Sequence, residues 1–299
     1  MSAHDDQTSA QPSEATEPPE PPVPTGPEAD RAERVRRLRR EPPRLRRVEV
    51  RRAEALGPRL LRLTLTGDEL EGLVIDQPAA SVRLLLPLPG TSELVLPQWA
   101  GNEFLLPDGR RPILRTFTPR RLDARAVELD LDVVLHGGGA ASTWAVAARP
   151  GDPAAISGPG RGYELDPGAP ALLLAGDETA LPAISQLLEA LPAALPVQVH
   201  VEVARPDGRL DILDQQAGAR SGATTLAWYD LPEGAPPGDA LVAAVKATEI
   251  APGERVWAAG EAAAVQRIRR HLFEERGMAR PHTTVRGYWK HGRTGDTES

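Results

Sequence analysis

From Asp166 onward, short apolar runs alternate with longer helix-like stretches, and this alternation constrains the fold more than any other feature of the chain. Residues 171–175 are apolar throughout, as a strand covered on both faces requires. A turn at Gly176-Asp177-Glu178-Thr179 follows, and then an apolar helix to Leu191. Residues 197–203, 225–229, 255–259 and 284–289 repeat the strand pattern, and helices are expected over 239–247 and from Ala262 to about Arg276. Strands joined through helices run parallel, so residues 166–299 are expected to form a doubly wound α/β sheet with its ligand at the carboxyl ends of the strands. Residues 42–165 read differently. Val48 and Val50, then Leu61, Leu63 and Leu65, then Val82, Leu84 and Leu86 alternate with period two between Gly-Asp and Pro-Gly punctuation, which predicts short strands and an antiparallel β-barrel.

Within that barrel, Arg115-Thr116-Phe117-Thr118-Pro119-Arg120 places a cation, an aromatic ring and small hydroxyls at alternate positions of a strand. Period two puts Arg115 and Phe117 on one face and Thr116 and Thr118 on the other. A flavin dinucleotide matches this set. A guanidinium can fork onto its diphosphate, an aromatic ring can pack on its ribityl chain or ring, and a hydroxyl can reach its N5. The same residues also read as an exposed strand with two arginines and a half-buried Phe. Residues 127–135 then lead into His136-Gly137-Gly138-Gly139-Ala140-Ala141-Ser142-Thr143-Trp144. Three glycines before a helical segment allow a sharp turn, and the helix start offers unpaired N–H groups to a phosphate. The alternative is a glycine-rich turn with no ligand.

Taken in order, Arg115 to Arg120, Val134-Leu135-His136-Gly137, Trp144, Pro150-Gly151-Asp152, Gly158-Pro159-Gly160, Leu174-Ala175-Gly176-Asp177-Glu178-Thr179-Ala180-Leu181-Pro182-Ala183-Ile184 and Gly287-Tyr288-Trp289 resemble the siderophore-interacting proteins, FAD-dependent ferric-siderophore reductases built like ferredoxin reductases. The resemblance implies an FAD-binding barrel followed by an NAD(P)H-binding domain, with electrons passing from the nicotinamide through FAD to a ferric siderophore. It implies that Thr118 touches flavin N5, with Arg115, Thr116, Phe117, His136, Gly137, Gly138, Gly139, Ala141, Ser142, Thr143 and Trp144 around the flavin. Gly176, Asp177, Glu178, Thr179, Ala180, Gly260 and Glu261 are expected beside the nicotinamide dinucleotide. Arg205 and Arg209 follow a strand containing Glu202, which favours NADPH over NADH. Arg83, Lys290 and Arg293 are candidates for docking an anionic ferric chelate. The chain departs from the family pattern where Phe117 stands for the usual Tyr, where Gly139-Ala140-Ala141 stands for Gly-Pro-Ala, and in the strand Ser81-Val82-Arg83-Leu84, which in relatives often begins with His and has Lys at the position of Arg83. A non-enzymatic siderophore- or flavin-binding protein and a flavin reductase or ferredoxin-linked enzyme are the other readings.

Composition narrows the classes. The 299 residues suit two modest domains and a tail. With no cysteine, the chain cannot form disulfides, thiolate metal sites or a cysteine-ligated iron–sulfur cluster, and no metal site is expected. The formal charge of −7 gives no reason to expect nucleic acid. No apolar run reaches the roughly 20 residues of a membrane span and no signal peptide is evident, so a cytoplasmic protein without membrane insertion is expected. Residues 1–41 divide into an acidic, proline-rich stretch expected to be disordered and an arginine-rich arm expected to be a solvated face.

Overall fold

A computed structural model of the protein describes residues 43–101, 103–136 and 138–292. The tail and arm at 1–41, together with Gly137 and Arg293 of the candidate sites, lie outside the described residues.

The first half supplies nine strands: β1 (Leu45–Gly57), β2 (Leu60–Thr66), β3 (Val82–Leu86), β4 (Gln98–Trp99), β5 (Phe104–Leu105), β6 (Ile113–Phe117), β7 (Pro119–Asp123), β8 (Glu128–Val134) and β9 (Pro153–Ser157). Seven of them form one antiparallel sheet in the order β6-β3-β9-β1-β2-β8-β7, and β4 pairs with β5 apart from it. Leu65, Leu84, Leu129, Leu131 and Ile156 point inward and are fully buried, as the period-two pattern requires. The edge strands β6 and β7 are separated by Thr118 alone. One residue spans only about 3.5 Å, so the sheet must curl until its two edges meet at Thr118. Helix α1 (Ala140–Ala147) packs on this sheet, burying Ala145 against Leu63 and Val133.

The second half is a five-stranded parallel sheet of β10 (Leu172–Asp177), β11 (Val197–Val203), β12 (Thr224–Asp230), β13 (Arg255–Glu261) and β14 (Thr283–Trp289), in the order β12-β11-β10-β13-β14. The connections carry α2 (Leu181–Ala190), α3 (Asp211–Gly218), α4 (Asp239–Ala247) and α5 (Ala262–Arg270), which continues as a π-helical turn at His271–Glu275. Both faces are covered. Leu172, Leu174, Val199 and Trp257 lie on one side, and Leu173, Ala175, Val256 and Ala258 on the other. That coverage explains why these strands read as continuous apolar runs. The strand order reverses between β10 and β13, which is where a doubly wound sheet opens its ligand crevice. Helix α3 was not anticipated from sequence. Only its Leu213 and Ala217 are buried while Ile212 faces solvent, so its apolar stripe is two residues wide. No helix among the described residues is long and apolar enough to cross a membrane.

Side chains stitch the two sheets together. The Gln186 amide donates to Pro119 O at 2.6 Å and accepts from Ala79 N at 2.9 Å. Arg286 donates to the carbonyls of Ala79, Arg161 and Gly162 at 3.2, 3.0 and 2.8 Å. Arg120 forks onto Glu189.

Candidate cofactor and electron-transfer site

The β6 edge carries the first group of candidate residues. Strand β6 pairs with β3 so that Arg115, Thr116 and Phe117 lie opposite Leu84, Arg83 and Val82. Phe117, Trp144 and Ala141 each pack onto the barrel core, and Arg115 is half-buried with its Nη1 donating to Leu114 O at 3.0 Å. Arg83 and Thr116 form an exposed cross-strand pair. Thr118 is only 7% exposed, because Tyr288 reaches it from the end of β14 and the two side chains are hydrogen-bonded. Thr116 and Thr118 therefore share a face in sequence but not an environment. Burial holds the Tyr288 phenol above its ordinary pKa, and the bond to Thr118 opposes that shift.

Strand β8 leads into the glycine turn. Leu135 N donates to Arg59 O at 2.7 Å, fixing the turn beside the β1–β2 hairpin. Gly139 precedes α1 with φ of 97°, and a Cβ there would lie 2.9 Å from His136 Cε1, so the position requires glycine. The Ser142 hydroxyl accepts from His136 N and donates to His136 O at 3.2 and 3.1 Å, which ties it to the turn's own backbone. His136, Gly138 and Thr143 are exposed. No side chain caps α1, so its first N–H groups are open to an anion. A guanidinium on an edge strand and an uncapped helix start are a donor set that fits the diphosphate of FAD.

The crevice between β10 and β13 is built differently. The buried Asp177 carboxylate has four donors: Thr179 N at 2.9 Å and Thr179 Oγ1 at 2.5 Å on one oxygen, Glu261 N and Trp289 Nε1, both at 2.8 Å, on the other. Burial raises its pKa, and these hydrogen bonds oppose the rise. Gly260 must be glycine here, since a Cβ would stand 2.5 Å from Asp177 Oδ2. At Gly176 a Cβ would stand 2.5 Å from the Ala180 Cβ, which lets the turn fold tightly onto α2. Glu178 accepts Arg59 Nε and Nη2, each at 2.8 Å, and Ala204 N at 2.9 Å. Glu261 accepts Ala264 N and His291 N at 2.9 and 3.1 Å.

Glu202 is buried and accepts Gly238 N and Leu241 N at 2.6 and 3.0 Å, capping α4 rather than facing the crevice. Arg205 and Arg209 stay accessible at the carboxyl end of β11, paired with Asp207 and Asp230 at 3.0 and 2.7 Å. Lys290 is exposed beyond β14. The structure thus brings Thr118, Asp177 and Glu261 together through Tyr288, Trp289 and His291 at the end of β14. Sequence reading gave no role to Arg59, Arg286 or Tyr288. Arg59 follows an ordinary Gly57-Pro58 turn, and its significance arises only from the distant Glu178.

Comparison with known proteins closes the description of the site. Residues 49–163 match the model of the siderophore-interacting FAD-binding domain, and residues 169–292 match that of the siderophore-interacting protein. A solved siderophore utilization protein from T. fusca is 38% identical with a TM-score of 0.72, covering 85% of this chain and 95% of its own. The ferric vibriobactin reductase of Vibrio cholerae is 31% identical over 247 residues, covering 81% of this chain and 88% of that protein. The NADPH-dependent ferric-chelate reductase of Escherichia coli is 34% identical over 149 residues, covering 50% of this chain and 58% of that protein.

Proposed function

This chain belongs to the siderophore-interacting protein family, and on that footing we propose that it is an FAD-dependent reductase carrying electrons from NAD(P)H to a ferric siderophore. The observation that carries the reading is the match of both family models, in order, to the two sheets just described, with the Arg115 strand in the first and the Asp177 turn in the second. Hard oxygen ligands hold iron(III) far more tightly than iron(II), so one added electron releases the metal. FAD, when bound, supplies the conversion between a two-electron hydride donor and a one-electron acceptor.

The chain's own residues bind, orient and exclude water. Arg115 and the start of α1 hold the diphosphate. Thr118 keeps a hydroxyl at the barrel seam. That hydroxyl is hydrogen-bonded to the Tyr288 phenol and is the group assigned to flavin N5. Phe117 and Trp144 give that seam its apolar floor. No general acid or base is required, and the buried Asp177 serves to fix Trp289 and the β13 end. Arg83 and Lys290, both exposed, are assigned to the docking of an anionic chelate.

For the donor, NADPH is favoured over NADH. Arg205 and Arg209 are exposed cations beyond β11, whereas Glu202 is spent on α4 and cannot meet a ribose 2′-hydroxyl. A second reading has a ferredoxin supply the electrons. Both readings place the reaction in the cytoplasm. The test is turnover: FAD-loaded protein, NADPH and a ferric siderophore should yield Fe(II) captured by a chromogenic chelator. NADH should serve less well, and the preference should narrow in Arg205→Ala. Formation of Fe(II) only when a reduced ferredoxin is added would transfer the conclusion to the second reading, and none with either donor would overturn the function.

A further inference from the structure

The first turn of the α/β sheet carries two buried carboxylates where a dinucleotide fold ordinarily offers bare N–H groups to a diphosphate. Asp177 is internally satisfied, with four donors spreading its charge. Glu178 has one backbone donor, Ala204 N, and depends for the rest on Arg59, which comes from the other sheet. The side chains of the pair are 18% and 9% exposed, so water screens neither charge well. Glu178 also lies under the loop that carries Arg205, for a Cβ on Gly208 would stand 2.4 Å from Glu178 Oε1. Arg59 O meanwhile accepts Leu135 N at the mouth of the glycine turn assigned to FAD. One residue therefore touches the flavin turn through its backbone and the donor turn through its side chain.

We propose that Arg59 is a positioning residue for the nicotinamide donor, its guanidinium cancelling the Glu178 carboxylate so that an anionic dinucleotide can approach the β10 turn. This inference rests on the NAD(P)H reading above. Without the guanidinium, Glu178 remains a poorly solvated carboxylate with a single N–H partner, at the turn assigned to the donor, and repels the donor's phosphates. The effect is electrostatic. It therefore acts on donors that carry phosphate, appears in KM rather than kcat, and disappears when Glu178 loses its charge.

The test uses FAD-loaded full-length protein and two readouts: the Kd for NADP+ by calorimetry, and steady-state reduction by NADPH compared with 1-benzyl-1,4-dihydronicotinamide, a donor without phosphates. Arg59→Met should raise the NADP+ Kd and the NADPH KM by about tenfold or more, with a much smaller change for the phosphate-free donor. Adding Glu178→Gln to Arg59→Met should bring the Kd back to within about threefold of the parent. An unchanged Kd in Arg59→Met, an equal loss with both donors, or a double variant as weak as the single one overturns the proposal. Should Arg59→Met fail to fold, Glu178→Gln alone decides. Its unopposed guanidinium should tighten NADP+ binding relative to the parent, and equal or weaker binding overturns the proposal. A parent that neither binds NADP+ nor oxidises NADPH removes the NAD(P)H reading itself and Arg59's role with it. A parent active with NADPH but indifferent to these substitutions removes only Arg59's role.

Discussion

Thr118 stands where the two edges of the first sheet meet, and it is closed from outside by Tyr288 from the far end of the chain. Its place in the Arg115–Thr118 run was legible in the sequence, because cation, ring and hydroxyl alternate there. Its burial was not legible, because the phenol that covers it belongs to the other sheet. Arg115 carries the clearest consequence. If Arg115 holds the flavin diphosphate as proposed, Arg115→Ala removes a charge-assisted contact worth about 1.5–3 kcal/mol, which is about ten- to a hundredfold in FAD affinity. Purified variant should be nearly colourless, and full occupancy at unchanged affinity would contradict the assignment. Lys290 is exposed, so the docking role proposed for it should be screened by salt. Lys290→Glu should raise the KM for an anionic ferric chelate most at low ionic strength and leave a neutral acceptor nearly unaffected. Identical salt profiles in variant and parent would leave Lys290 as a solvated side chain.

Among the elements, those whose burial follows a strict period were readable and those held by scattered contacts were not. The expected strands over residues 197–203 and the expected helix over 239–247 coincide with β11 and α4, since buried apolar positions mark both. Helix α3 escaped because two buried side chains are too few to mark a stripe. A groove of about 640 Å³ flanks α4 and holds a network no pattern announces. Thr248 Oγ1 donates to Ala244 O at 2.9 Å, so at 3.0 Å it accepts the His200 Nε2–H, leaving Nδ1 to accept the Tyr229 hydroxyl at 3.0 Å.

The neutral imidazole is thus fully bonded, and burial holds the pKa of His200 below its ordinary value. The unfolded chain then binds the proton more readily than the folded one, so stability rises with pH across this interval. The contribution is complete above the unfolded value of about 6.5 and is lost as pH falls through it toward the folded value. The melting temperature should therefore drop on acidification, and less so in His200→Gln. Parallel profiles in the two proteins would remove His200 as the cause.

At the scale of the whole molecule, two sheets of different texture, antiparallel then parallel, were evident from the sequence, and with them an order of FAD site then donor site. What the sequence concealed is the seam. Gln186, Arg286 and Arg59 each reach across it to partners more than a hundred positions away or to bare carbonyl groups, and neither carbonyl recognition nor a distant ion pair has a local signature. In the proposed function this seam joins a flavin and a nicotinamide site into one electron path ending on ferric iron. Anaerobic rapid mixing of the FAD-loaded protein tests it directly, first with NADPH and then with a ferric siderophore. NADPH should bleach the flavin absorbance, and the ferric chelate should restore it with matching release of Fe(II). A flavin that stays oxidised under excess NADPH, or that is bleached and then left unchanged by the ferric chelate, would contradict that function.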